Sequence, residues 1–236
     1  MKVKTNKTVA IVTVYAIAMA FLETVIVIYL RKLYYPQGFI FPLKGFIDHQ
    51  ILSIEWIREL FTLIMLACVG ILAGRSKYEK GAYFIHSFAI WDIFYYVWLK
   101  VILNWPSSLL TWDLLFLIPW AWVGPVLAPL ICSVTMLVLA YIIISREDQG
   151  KNNAFKKKEW FFFILGSILI LSTFLYDYGK ILFKEHFITN LSTLLQNQEF
   201  QALIRNYTPT TYPWIIFILG EFLLILGITS IARRKD

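Results

Sequence analysis

Ionisable side chains interrupt the long apolar runs of this sequence at several points. Such groups are costly inside a membrane, and they usually face a protein interior or a water-filled cavity, where they bind solutes, relay protons or pair with one another. Asp92, Tyr96 and Lys100 follow one another at intervals of four residues, so they share one face of a helix. Eight residues are therefore candidates for a ligand-binding site: Glu23, Arg58, Glu59, Asp92, Tyr96, Lys100, Asp113 and Glu221.

The carboxylates of this set outnumber its cations. Arg58 and Lys100 can neutralise two of them, and the surplus negative charge suits a cationic or polyhydroxyl ligand, a metal ion or a proton relay. The alternative interpretation is a set of interhelical ion pairs and hydrogen bonds that only holds a helix bundle together. Asp92 and Asp113 are also candidates for a pair of carboxyl groups that performs acid–base catalysis.

Other chemistry has weaker support in the sequence. Asp48-His49 and Glu185-His186 lack the spacing of a metal site, so we expect no metal to be bound there. The motifs H-E-x-x-H and G-x-S-x-G and the phosphate-binding loop are absent from the sequence. Catalytic residues and cofactors therefore stay unassigned, and the sequence leaves open whether the protein is an enzyme.

The composition indicates the class of protein in which these residues are placed. Hydrophobic residues make up 59% of the 236 residues, charged residues only 16%, and the mean hydropathy is +0.66. Soluble domains are nearer 45–50% apolar and about 25% charged, so this chain has too few polar side chains to cover a water-soluble fold of its size. The net charge of +7 lies in short basic segments between apolar runs, which indicates anionic lipid headgroups rather than nucleic acid as the partner.

The sequence predicts an all-α, polytopic transmembrane helix bundle with about six spans. Crossing the hydrocarbon core takes about 20 mostly apolar residues. Residues 1–236 form a single transmembrane domain, and the first apolar run continues past Ala18-Met19-Ala20, so it is a retained span rather than a cleaved signal peptide. The predicted spans are 8–30, 54–74, 81–103, 124–145, 160–177 and 212–232.

Two segments between the spans have their own character. The segment 107–118, between Pro106 and Pro119, is too short to cross a membrane, so we predict a short re-entrant or interfacial helix between spans 3 and 4. In the segment 179–211, apolar residues recur at roughly helical spacing, which predicts an amphipathic helical loop on the outer surface.

The basic residues orient the predicted spans. With both termini in the cytoplasm, the cytoplasmic segments carry fourteen Lys and Arg residues, whereas the outer loops, which begin with Arg31 and Lys32, carry six. We therefore place the protein in the cytoplasmic (inner) membrane with both termini cytoplasmic. In this orientation nearly all of the ionisable residues within the spans lie in the outer half of the membrane, which predicts a polar site that faces outward.

Small residues at intervals of four predict places where helix backbones approach closely. Three such sets occur in spans 2, 1 and 4: Gly70 and Gly74; Ala16 and Ala20; Gly124, Ala128 and Cys132.

The sequence also resembles two groups of membrane proteins. The stretch FAIWDIFYYVWLK, followed by NWPSSLLTWDLLFLIPWAWVGPVLAPL, within residues 88–130 resembles an uncharacterised family of prokaryotic multi-pass membrane proteins, which brings no activity with it. The number of spans, the cytoplasmic termini and the Ala16/Ala20 spacing are similar to the substrate-capture components of energy-coupling-factor vitamin transporters. That likeness implies an outward-facing site under the first loop.

Three functions are compatible with the sequence. The leading hypothesis is binding or transport of a small polar solute through an outward-facing site within the membrane. The second is an accessory subunit whose aromatic surface docks a larger membrane complex, with a membrane protein as partner. The third is an intramembrane enzyme that uses the carboxylates of Asp92 and Asp113.

Overall fold

The computed structural model describes residues 2–43, 49–184, 202–203 and 206–234. Within these ranges the chain forms six long helices and a two-stranded hairpin. The helices are α1 (Lys2–Tyr34), α2 (His49–Ala73), α3 (Lys77–Leu103), α4 (Leu127–Asp148), α5 (Lys157–Lys184) and α6 (Trp214–Ala232). The hairpin joins α3 to α4 and consists of β1 (Trp112–Phe116) and β2 (Trp122–Pro125).

All six helices are long and apolar enough to cross a membrane, and many of their large apolar side chains are exposed. The protein is therefore an integral membrane protein, and its fold is the all-α bundle predicted from the sequence. Some helix ends differ from the prediction. Helix α5 continues to Lys184, so it includes the start of the segment 179–211, most of which (185–201 and 204–205) lies outside the described residues.

The short helix predicted for 107–118 is not confirmed, because a β-hairpin takes its place. Strand β1 pairs antiparallel with β2, with an irregularity in register between Leu114 and Phe116. Prolines at 106 and 119 confine the segment, and its aromatic residues favour extended structure. Pairing satisfies the backbone groups on the facing edges of the two strands.

Close backbone contacts hold the helices together. A Cβ atom added to Gly70 of α2 would lie 2.8 Å from the carbonyl oxygen of Lys80 and the amide nitrogen of Phe84 in α3. Gly166 of α5 and Gly220 of α6 approach each other in the same way. These contacts fit the role predicted for small residues, and they lie within one chain.

The other two sets of small residues have different outcomes. Ala16 and Ala20 of α1 are fully buried in a cluster that includes Trp91 of α3. The set in span 4 was wrong in one member, because Gly124 belongs to β2 and α4 begins only at Leu127.

One end of the bundle, which we call the basic end, contains the start of α1, the α2–α3 turn, the α4–α5 turn and the end of α6. Asp148 accepts a hydrogen bond from Thr5 at 2.6 Å and forms a salt bridge with Arg75 at 3.1 Å. Arg234, just after α6, forms a salt bridge with Glu159 of α5. The start of α1 and the end of α6 therefore lie at the same end of the bundle.

Candidate functional site

A cavity of about 130 Å³ lies at the opposite end of the bundle, between α1, α2, α3 and β1. We call this the cavity end. Six of the eight candidate residues line the cavity: Glu23, Arg58, Glu59, Asp92, Tyr96 and Asp113. Arg31, Glu55 and Trp91 line it as well. Five carboxylates and two guanidinium groups thus meet in a space about the size of a small organic molecule.

Helical spacing brings these side chains to the cavity. On α2, Arg58 and Glu59 follow Glu55 by three and four residues, and on α3, Tyr96 follows Asp92 by four, so each group lies on one side of its helix. The turns of α1 and α3 next to the cavity pack through buried apolar residues. The packing of the three helices therefore turns their polar faces toward one space.

Arg58 connects α2 to α1 at this site. Its Nε atom donates a hydrogen bond to Glu55 Oε2 at 2.8 Å, and its Nη1 atom forms a salt bridge with Glu23. The Thr62 hydroxyl donates a longer hydrogen bond, 3.4 Å, to the second oxygen of Glu23. The prediction that Arg58 neutralises an acid is confirmed, and the guanidinium group is shared by two carboxylates.

A second ion pair fixes the hairpin to the helices. Arg31 Nη2 donates to Asp113 Oδ1 at 3.0 Å, and the Tyr96 hydroxyl donates to Asp113 Oδ2 at 3.3 Å. The Arg31 guanidinium lies 4.2 Å from the ring centroid of Phe39 and 3.9 Å from that of Trp105, so it also makes cation–π contacts. Burial raises the pKa of the Asp113 carboxyl, and the nearby Arg31 charge acts in the opposite direction.

The contacts of Asp113 argue against the hypothesis that Asp92 and Asp113 form a catalytic pair. Asp92 and Asp113 line the same cavity, but both oxygens of Asp113 already accept hydrogen bonds from Arg31 and Tyr96. An acid–base residue must exchange a proton with the substrate, whereas Asp113 is fully buried and forms a salt bridge with Arg31. The arrangement therefore favours a positioning role for Asp113 over a catalytic one.

Glu59 and Asp92 are held differently from the paired acids. Glu59 Oε2 accepts a hydrogen bond from the backbone N–H of Leu117 at 2.8 Å, and Asp92 Oδ2 accepts one from the Ser133 hydroxyl at 2.8 Å. In the part of the chain that the structure describes, neither carboxylate forms a salt bridge with a Lys or Arg side chain. These two are the acids of the cavity that lack a cationic partner among the described residues.

Two hydrogen-bond donors at the cavity also lack acceptors. Arg31 is 7% exposed and Trp91 is 6% exposed, and within the described ranges Arg31 Nη1 and Trp91 Nε1 have no hydrogen-bond partner. Both nitrogens have almost no accessible surface, and Trp120 Nε1 and Arg234 Nε elsewhere in the described chain lack a partner as well, so these two donors do not by themselves indicate a ligand.

Arg31 lines the site although it was not among the residues predicted from the sequence. It was expected in an outer loop, because it adjoins Lys32 where the first apolar run ends. The structure instead places it in the last turn of α1 and buries it. Its spacing of eight residues from Glu23, which puts both on one helix face, could have revealed it.

Two candidate residues lie outside the cavity. Lys100 Nζ donates to the backbone oxygens of Asn104 and Pro106 at 3.4 and 3.0 Å, so it caps the end of α3, and its predicted pairing with an acid is not observed. Glu221 of α6 accepts a hydrogen bond from Thr135 of α4 at 2.7 Å. Neither residue lines the cavity of the other six, although Lys100 and Tyr96 share a second cavity of about 470 Å³.

The described residues contain no group of three His, Cys, Asp or Glu side chains placed to hold a metal ion. Asp48, Glu185 and His186 lie outside the described residues, as does the side chain of His49.

No family model matches the chain, and no curated protein and no solved structure matches it significantly.

Proposed function

We propose that the protein binds a small polar solute in the cavity, which faces the non-cytoplasmic side of the inner membrane. The observation that carries this proposal is the convergence of six candidate polar residues from α1, α2, α3 and β1 on one cavity. A cavity of about 150 Å³ holds a ligand the size of benzene, so a volume of about 130 Å³ suits a solute of about six non-hydrogen atoms.

The pattern of pairing supports a ligand over a purely structural role. In a purely structural cluster, each buried charged side chain is expected to have an oppositely charged partner, as Arg31 and Asp113 have in each other. Glu59 and Asp92 have no cationic partner among the described residues. A bound solute would supply the missing partners.

The proposed orientation follows from the charges at the two ends. Arg75, Arg146 and the Lys156–Lys158 run belong to the basic end, and cytoplasmic segments carry the excess of Lys and Arg in membrane proteins. The cavity end is then the outer one. Transport of the bound solute would require a path toward the basic end, where Gly70 brings the backbones of α2 and α3 together. Binding is therefore the primary proposal, and transport requires a rearrangement of α2 against α3.

A thermal-shift screen of the purified full-length protein tests this proposal. The probes are divalent metal salts, small amines, amino acids, sugars and vitamins, tested on the wild type, Glu59→Gln and Asp92→Asn. A probe present at about 100 times its Kd should stabilise the folded state by about 2.7 kcal/mol. We expect at least one class to stabilise the wild type and to lose its effect in both variants.

Glu221→Gln is the matched control, because it neutralises a buried carboxylate that does not line the cavity. It should retain the response to the same probe. If no probe stabilises well-folded wild-type protein, the proposal fails and the accessory-subunit hypothesis gains weight. Co-purification of a stoichiometric membrane protein in mild detergent would then support that alternative.

A further inference from the structure

The second cavity, of about 470 Å³, lies between the end of α3, the segment 106–109 and the start of α4, and we call it the side groove. Most of its wall is apolar and comes from two helices: Ile93, Val97, Val101, Val126 and Leu130. Its volume is about three times that of a cavity that holds benzene, so it accommodates about eighteen non-hydrogen atoms. That is the size of one acyl chain of a membrane lipid.

The side groove changes from polar to apolar with depth. Lys100 lies in the last turn of α3, and Ile93, seven residues earlier on the same side of the helix, lies about 10 Å deeper in the membrane. On α4, Val126 adjoins the start of the helix and Leu130 follows one turn deeper. A phospholipid has the same order of groups, with a charged headgroup at the interface and apolar chains below it.

The ammonium group of Lys100 is accessible at the mouth of the side groove. The side chain is exposed, and it forms no salt bridge with a described carboxylate. Its Nζ atom donates to the carbonyl oxygens of Asn104 at 3.4 Å and Pro106 at 3.0 Å, which leaves one of its three donors for a ligand. The exposed residues Ser107 and Ser108 follow Pro106 and line the same groove. The mouth therefore offers a positive charge and hydroxyl groups to a phosphate.

We infer that the side groove binds one anionic phospholipid, with its phosphate at Lys100 and one acyl chain along Ile93, Val97 and Leu130. A lipid is favoured over a second copy of the chain, because a phosphate supplies the counter-charge that Lys100 lacks among the described residues. A net negative headgroup is favoured over a zwitterionic one, whose own cation competes with Lys100 for the phosphate. This site is separate from the solute cavity and does not depend on the proposed function.

Native mass spectrometry of the delipidated full-length protein tests the headgroup. Phosphatidylglycerol and phosphatidylcholine with identical acyl chains are the two probes. The wild type should bind one phosphatidylglycerol with a Kd at least about fivefold lower than that of phosphatidylcholine, the ratio that corresponds to about 1 kcal/mol for one Lys beside an anionic headgroup. Lys100→Gln should abolish this preference. Lys32→Gln is the matched control, because Lys32 is exposed at the end of α1 and does not line the groove.

A second pair of variants tests the position of the acyl chain. Val97 is 40% exposed and lines the side groove, whereas Val134 of α4 is 57% exposed and does not. Val97→Phe fills part of the groove and should weaken the first bound molecule of either lipid at least about fivefold. Val134→Phe adds the same bulk outside the groove and should leave both affinities unchanged.

Three results would overturn the inference. Equal affinity of wild-type protein for the two lipids would exclude an anionic headgroup site, and this comparison does not depend on any variant folding well. Equal effects of the substitutions at positions 97 and 134 would place the lipid elsewhere. A dimer of the wild type that binds neither lipid would make the side groove an interface between two copies. None of these results bears on the solute cavity, so the proposed function stands or fails by its own screen.

Discussion

The basic end and the cavity end use the same residue types in different ways. At the basic end, the buried carboxylates of Glu79 and Glu159, 2% and 1% exposed, are each paired with an arginine, Arg75 and Arg234 respectively. Each pair connects chain segments: Arg75 also reaches Asp148 of α4, and Arg234 joins the end of α6 to α5. Charge at this end is used to fasten one segment to another.

At the cavity end, charge is only partly matched. Asp113 and Glu23 are paired with Arg31 and Arg58, and these pairs join α1 to β1 and to α2. Glu59, by contrast, is 8% exposed and has no cationic partner among the described residues. Leaving a buried carboxylate unpaired costs stability, and proteins retain such groups mainly where function needs them. Charges that stabilise the fold thus differ from charges that are available to a ligand.

The largest expected effect tests the fastening role of the basic end. Arg234→Met should lower the free energy of unfolding by about 3–5 kcal/mol, because the nearly inaccessible Glu159 carboxylate loses its counter-charge. Equilibrium unfolding in mixed micelles of mild detergent and dodecyl sulfate measures this change. Arg233→Met, at the exposed neighbouring position, is the control and should have little effect.

The double variant Arg234→Met/Glu159→Gln should recover part of the loss, since it also removes the stranded charge. Equal effects of the substitutions at positions 233 and 234 would show that the salt bridge does not fasten this end.

A similar effect is expected for the paired acid of the cavity end. Asp113→Asn should cost about 3 kcal/mol, because the buried Arg31 guanidinium keeps a hydrogen-bond acceptor but loses its counter-charge. The same unfolding measurement applies, and a double-mutant cycle with Arg31→Met isolates the interaction between the two residues. A coupling free energy near zero would contradict the assignment of this pair as the anchor of the hairpin.

The close packing of α2 against α3 gives a smaller expected effect. Gly70→Ala should destabilise the protein by about 1–3 kcal/mol, because the new Cβ would lie 2.8 Å from backbone atoms of Lys80 and Phe84. Gly81→Ala is a matched control, since apart from its own helix backbone and chain neighbours no described atom lies within 4 Å of its Cβ position. The control should be neutral or slightly stabilising, because alanine favours helix over glycine. Equal destabilisation by both substitutions would argue against a tight contact at Gly70.

The fold could be predicted from the sequence to the extent that lipid dictates it. Six apolar runs of about 20 residues predict six helices, because a hydrocarbon solvent tolerates little else. The hairpin could not be predicted in this way. The residues of β1, WDLLF, have an apolar majority without clear alternation, and none of them is fully exposed. Such a run does not distinguish a strand from a buried helix.

The sequence predicted most of the residues that line the candidate site, but it also included residues that lie elsewhere and missed Arg31. Sequence position gives the height of a residue along a helix, so Glu23, Arg58 and Asp92 could be grouped by depth. It does not give the direction of a side chain when the helix is apolar on all sides, as α6 is. For this reason Glu221 was grouped with residues that it does not meet. Arg31 was missed for the opposite reason, because its position at a helix end is typical of a boundary charge.

The smallest expected change in the free energy of unfolding gives the most direct test of the difference between the basic end and the cavity end. Glu59→Gln and Asp92→Asn should each change the free energy of unfolding by less than about 1 kcal/mol, or stabilise the protein, because neither carboxylate has a described cationic partner to strand. Both amides keep an oxygen that can accept the existing hydrogen bonds from Leu117 N–H and Ser133. The unfolding of Asp113→Asn, measured in the same way, supplies the reference.

A loss of unfolding free energy as large as that of Asp113→Asn would make Glu59 and Asp92 structural residues, and the distinction between the two ends would disappear. A small change, combined with loss of solute binding, would mark them as charges that the protein maintains for its ligand.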